Sequence, residues 1–108
     1  MTDLPVACAL TERELHERRA GLLTELRRFR RAARWLPDGV ALDYAPEPGV
    51  IAGLGRLIEL ESQCCPFLRF RLSVEAGGGP ISLELTGPDG TRDFLARELH
   101  LTGDPSAR

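Results

Sequence analysis

Apolar residues recur along this chain with two different periods, and the switches between them mark the elements. Leu15, Leu22, Leu26, Phe29, Ala33 and Leu36 follow at spacings of seven, four, three, four and three, which is a helical stripe. Thr11 and Glu14 form a T-x-x-E capping box ahead of it, satisfying free N–H groups at a helix start. Pro37-Asp38-Gly39 stops it. The pattern predicts one long helix over residues 11–36, longer than a domain of this size needs. Val40, Leu42 and Tyr44 then alternate with Ala41, Asp43 and Ala45, the signature of a strand. After the break at Pro46, Pro48 and Gly49, a second helix is predicted from Val50 to Cys64. Val50, Leu54, Leu57, Glu61 and Cys64 share one of its faces, flanked by Ile51, Ile58 and Cys65. Pro66 disfavours helical geometry in the residue before it, so this helix ends at the cysteine pair.

Leu68, Phe70, Leu72 and Val74 alternate with Arg69, Arg71, Ser73 and Glu75, and Ile81, Leu83 and Leu85 alternate with Ser82, Glu84 and Thr86. Two strands with such clean alternation predict an antiparallel pair with one wet face. The loop at Gly77–Gly79 joins them. Gly87-Pro88-Asp89-Gly90 opens a third helix that uses Phe94, Leu95 and Leu99. The expected class is therefore α+β. A short segment (1–10) and the long helix (11–36) precede a βαββα unit (39–101), with a tail over 102–108. That unit matches most of a ferredoxin-like, split βαβ sandwich with a three-stranded, largely antiparallel sheet. Glycines at 53 and 55 suggest close helix–sheet packing.

The length of 108 residues fits one domain, and a composition 43% apolar and 28% charged reads as soluble and globular. No uncharged apolar run reaches about 18 residues, so no membrane span is expected. The start lacks the basic and apolar regions of a signal peptide, which points to the cytoplasm. All 14 basic residues are arginine, yet the net charge is −2, so constitutive binding of a polyanion is not favoured. The arginines of the first helix (Arg18, Arg19, Arg27, Arg28, Arg30, Arg31 and Arg34) are interleaved with Glu12, Glu14, Glu17 and Glu25. They read as a solvated face rather than a nucleic-acid surface. Its apolar stripe predicts a homodimer through that helix.

Cysteine changes the picture. There are three, Cys8, Cys64 and Cys65; an odd number in a cytosolic chain argues against a disulfide framework, so reduced thiols are expected. Glu61 precedes Cys64 and Cys65 by one helical turn, within side-chain reach. A helix C-terminus raises a thiol's pKa and disfavours a nucleophile, whereas a bound cation takes the thiols as thiolates. Cys8, in the segment before the first helix, can add a third sulfur. The candidate metal ligands are Cys8, Cys64, Cys65 and Glu61. Soft sulfur donors suit Cu(I), Zn(II), Hg(II) or trivalent arsenic; zinc would seek a fourth ligand from Glu61, His16 or His100. Adjacent cysteines make an awkward bite for closed tetrahedral zinc and an easier one for two- or three-coordinate ions. Two other classes stay open: a thiol redox or metal-dependent enzyme using the same cysteines, and a structural dimerisation module whose cysteines are inert core. No catalytic triad or C-x-x-C motif is present, and the Gly-Pro-Asp-Gly segment reads as a turn and helix cap rather than an anion site.

Ala7-Cys8-Ala9-Leu10, the segment Glu61-x-x-Cys64-Cys65-x-Phe67 and the segment Leu83-x-Leu85-x-Gly87-Pro88-x-Gly90 together resemble a family of small bacterial proteins. The likeness covers roughly residues 7–100. Members are often encoded beside metal- or mercury-responsive regulators, so the resemblance implies a heavy-metal resistance context and no particular activity. Three thiols with a carboxylate are also similar in composition to the organomercurial lyase site, but size and surrounding motifs differ and no lyase activity is implied.

Overall fold

The strand predicted around Val40–Tyr44 has an unexpected neighbour: the end of the supposed long helix is itself a strand. The computed structural model describes residue 6, residues 13–99 and residue 101. Its elements are α1 (Arg13–Arg27), β1 (Arg30–Leu36), β2 (Gly39–Tyr44), α2 (Val50–Cys64), β3 (Arg69–Val74), β4 (Ile81–Thr86) and α3 (Thr91–Glu98). The helix stops after Arg27, where the N–H groups of Arg28 and Phe29 turn back to Glu25 and Leu26. β1 then pairs antiparallel with β2, from Arg30 opposite Tyr44 to Leu36 opposite Gly39, leaving Pro37-Asp38 as a two-residue hairpin turn. The single helix over 11–36 is thus corrected to a helix and a strand. Phe29, Ala33 and Leu36 fit a helical period by coincidence, and pairing with a central strand overrides the helix preference of the arginines and alanines.

The fold is α+β with element order αββαββα and one four-stranded antiparallel sheet, β1-β2-β4-β3. This corrects the three-stranded sheet expected from sequence. β2 pairs with β4 from Gly39–Thr86 to Tyr44–Ile81, and β3 pairs with β4 from Arg69–Thr86 to Val74–Ile81. β2 and β3 consequently run parallel, with β4 between them and α2 making the crossover. Gly39 is needed where β2 meets β4, since a Cβ there would run into the Leu85 carbonyl oxygen.

The sheet has a covered and an uncovered face. Val40, Leu42, Tyr44, Ile81, Leu83 and Leu85 pack against Leu54 and Leu57 of α2, Phe94 and Leu95 of α3 and Leu26 of α1. At about 1.5–3 kcal/mol for each such side chain, this layer is the main source of stability. The opposite face carries Arg69, Arg71 and Ser73, all exposed, and the half-exposed Glu84. α2 is the core helix, with seven buried residues. α1 is peripheral and buries only Arg19 and Leu26; Leu15 and Leu22 of its stripe are half-buried. Gly53 serves contact between helices rather than between helix and sheet: a Cβ there would sit 3.0 Å from Leu26 Cδ2. Gly55 faces open space. Among the described residues no helix is long and apolar enough to cross a membrane. Thr11 of the expected capping box, Cys8, His100 and the tail over 102–108 lie outside the described residues.

Candidate functional site

The site is built on the C-terminal end of α2. Cys65 leaves helical geometry (φ −127°, ψ 73°) while its N–H still reaches the Glu61 carbonyl at 2.6 Å, as expected for a residue preceding proline. Leu68 N–H then bonds the Cys65 carbonyl at 3.0 Å. Phe67 sets its ring edge-on to Phe94 of α3, with centroids 5.1 Å apart. The chain after the cysteines is thereby tied to α3, and both sulfur-bearing residues are turned indoors. Cys64 and Cys65 are each 0% exposed.

Glu61 lies one turn earlier and is 1% exposed. An isolated carboxylate in such a place costs several kcal/mol, so it must find a cation. The cation is Arg19 of α1, itself only 7% exposed. Its Nε donates a hydrogen bond to Glu61 Oε1, and its Nη2 reaches Oε2 at 3.4 Å. Nη1 pairs with Glu98 Oε1 on α3 at 3.2 Å. One guanidinium therefore ties α1, α2 and α3 together. Cys65 Sγ completes the cluster, donating to Glu61 Oε2 at 3.8 Å. A cavity of about 20 Å³, room for one water, borders Glu61 and Glu98 on the side of Tyr44 and Leu57.

These surroundings set the protonation states. Burial works against the Arg19 charge, but the Glu61 hydrogen bond and the charges of Glu61 and Glu98 outweigh it and raise its pKa. Burial, reinforced by the Glu61 charge and partly offset by Arg19, pushes the Cys65 thiol up to about 12. At neutral pH Cys65 is a protonated thiol, a poor nucleophile. Tyr44, on the covered face of β2, is raised chiefly by burial.

Of the residues singled out from sequence, Glu61, Cys64 and Cys65 are brought together, and Cys8 lies outside the described residues. His16 is exposed on α1. Cys65 is a free thiol, as expected, but Cys64 is disulfide-bonded, which corrects the expectation of fully reduced thiols. An odd cysteine count excludes complete pairing; it is compatible with one bond beside one free thiol. Among the described residues no group of three or more His, Cys, Asp or Glu is arranged to hold a metal ion.

Sequence reasoning missed Arg19 and Glu98, having placed Arg19 on a solvated face. The signal was present: Arg19, Leu22 and Leu26 stand at spacings of three and four, so Arg19 shares the inward face of α1. No protein-family profile, curated protein or solved structure matches this chain.

Proposed function

We propose that this chain binds a soft metal or metalloid ion (Hg, As, Cu or Zn) through Cys64 and Cys65, with Cys8 as a third sulfur and Glu61 as a supporting ligand. Its setting would be heavy-metal resistance or homeostasis in the cytoplasm. The observation that carries this reading is the meeting of two adjacent, wholly buried cysteines with a buried carboxylate at one helix end. Sulfur donors select thiophilic ions, and neighbouring cysteines suit low coordination numbers. A thiol held protonated is poorly suited to nucleophilic catalysis, while an ion can displace its proton on binding. The resemblance to small bacterial proteins encoded beside metal-responsive regulators supports the same context.

We also read the fold as ferredoxin-like, with the β2-α2-β3-β4-α3 run as its split βαβ unit. β1 would fill the edge position that the missing final strand takes in that fold. For assembly we favour a homodimer through α1, where half-buried Leu15 and Leu22 line a groove with Leu60.

The test is titration of the fully reduced protein with Hg(II), Cu(I), Zn(II) and arsenite, counting bound ions and remaining thiols. The expected result is one ion per chain that consumes at least two thiols, is lost in Cys64→Ser and is weakened in Cys8→Ser. Reduced protein that binds none of the four contradicts the proposal.

A further inference from the structure

β1 is an edge of the sheet, and no described strand pairs with its outer side. The main-chain N–H and C=O groups along that side are a template for one more strand. The bulge between Arg30 and Ala32 leaves Ala32–Leu36 as the regular stretch. It opens with the small, exposed Ala32 and Ala33, which do not obstruct an approaching chain.

Positive charge is concentrated on the same edge. Arg27, Arg28, Arg31 and Arg34 are exposed and Arg30 is half-exposed, in a chain whose net charge is −2. Among the described residues none of them forms an ion pair. Asp43, opposite Ala32, is the one carboxylate paired in register with β1. These arginines guard the edge against a second copy, since self-pairing would set two arginine-rich strands side by side. The same charges attract a strand of opposite sign.

The two faces of β1 differ, and that difference specifies what such a strand must carry. Trp35 lies opposite Val40, and Val40 opposite Leu85, on the covered face; half-buried Trp35 packs against the margin of the core. Arg34 lies opposite Ala41, and Ala41 opposite Glu84, on the uncovered face. Successive residues of a strand point to opposite faces. A strand beside β1 therefore meets an apolar row on one face and a guanidinium on the other.

We infer that β1 is the docking edge for an extended acidic segment of a partner protein, added as a fifth strand with apolar residues beside Trp35 and carboxylates beside Arg34. Main-chain hydrogen bonds along Ala32–Leu36 supply affinity, and the alternation supplies specificity. Docking there needs neither cysteine nor bound ion.

The test titrates the full chain with a short peptide alternating glutamate and valine, read by the fluorescence of Trp35, the chain's single tryptophan. Saturable binding that weakens with added salt is expected, with slowed hydrogen exchange of amides in Ala32–Leu36. The double variant Arg31→Glu/Arg34→Glu should bind about tenfold more weakly or worse. Arg69→Glu/Arg71→Glu makes the same change of charge on β3, the opposite edge, and should stay within about twofold because salt screens it there. A peptide methylated on alternate backbone nitrogens keeps its charges but cannot complete the ladder. On the unaltered protein it should lose about tenfold or more, a result that depends on no variant folding. No peptide binding, equal loss in the two double variants, undiminished binding of the methylated peptide, or tighter binding of a single-stranded oligonucleotide of matched charge each overturns the docking edge.

Discussion

Arginine and glutamate meet in two regions of this molecule with opposite consequences. On the uncovered face of the sheet, Arg71 and Glu84 stand opposite each other across β3 and β4. Water solvates both, so neither dictates where the other must lie. Beneath the helices, Arg19 and Glu61 are withdrawn from water, and each makes the other's burial possible. The same pair of residue types is decoration in one place and a structural requirement in the other. What separates them is desolvation, which turns a pairing worth little into one whose breakage strands a buried charge.

The largest effect should follow from removing one buried partner. Arg19→Ala is expected to cost about 3–5 kcal/mol, because Glu61 is left charged and unpaired, while Arg71→Ala should stay within about 0.5 kcal/mol. Urea denaturation of both variants decides it, and equal losses would break the comparison. Arg19→Met combined with Glu61→Leu should recover most of the loss, since removing both charges removes the desolvation cost.

A second prediction separates burial from the identity of the face. Gly39 lies in the sheet where β2 crowds β4, and a methyl group there meets the Leu85 carbonyl. Gly39→Ala should cost roughly 1–3 kcal/mol by overpacking. Gly55→Ala, in α2 with nothing near its Cβ direction, should stabilise by up to about 1 kcal/mol. Thermal melts of the two variants should move in opposite directions.

The third concerns pH. Cys65 and Tyr44 have raised pKa values in the fold, so the folded state holds these protons more tightly than the unfolded one. Their contribution to stability is complete below pH 9 and is lost for Cys65 as pH climbs toward about 12. Tyr44 adds to the loss above pH 10, its ordinary value. The denaturation midpoint should fall through this window, and less steeply in Cys65→Ala. A midpoint independent of pH there would show the thiol to be less shielded than its burial implies. The smallest effect belongs to the exposed Arg13–Glu17 pair at 3.4 Å, where Glu17→Gln should shift stability by less than about 0.5 kcal/mol.

Much of this was legible in the sequence where one physical rule dominated. The period of α2 and the alternations of β3 and β4 reflect burial on one face, the break at Pro66 reflects the steric limit proline sets on the residue before it, and all appear in the fold. The helix–strand boundary at Arg27–Arg30 was not legible: Phe29, Ala33 and Leu36 continue the helical spacing while Phe29, Ala33 and Trp35 fit an alternating one, and only pairing with β2 decides between them. Within the candidate site, Glu61 announced itself as a carboxylate on an apolar face, beside cysteines placed by the helix end. Its cation did not, because several arginines on the first helix could have answered it. Glu98 joins from α3 through that same arginine, a contact between elements remote in sequence that local pattern does not encode.

The most direct test of the central claim is native mass spectrometry of the reduced chain after one equivalent of Hg(II), followed by thiol labelling of the complex in denaturant, where burial no longer shields the cysteines and only a bound ion can. The account predicts one ion per chain and protection of both Cys64 and Cys65 from the label, reversed when a competing dithiol strips the ion. An ion-free chain, or a bound ion with both cysteines labelled as fast as in the ion-free chain, would contradict it.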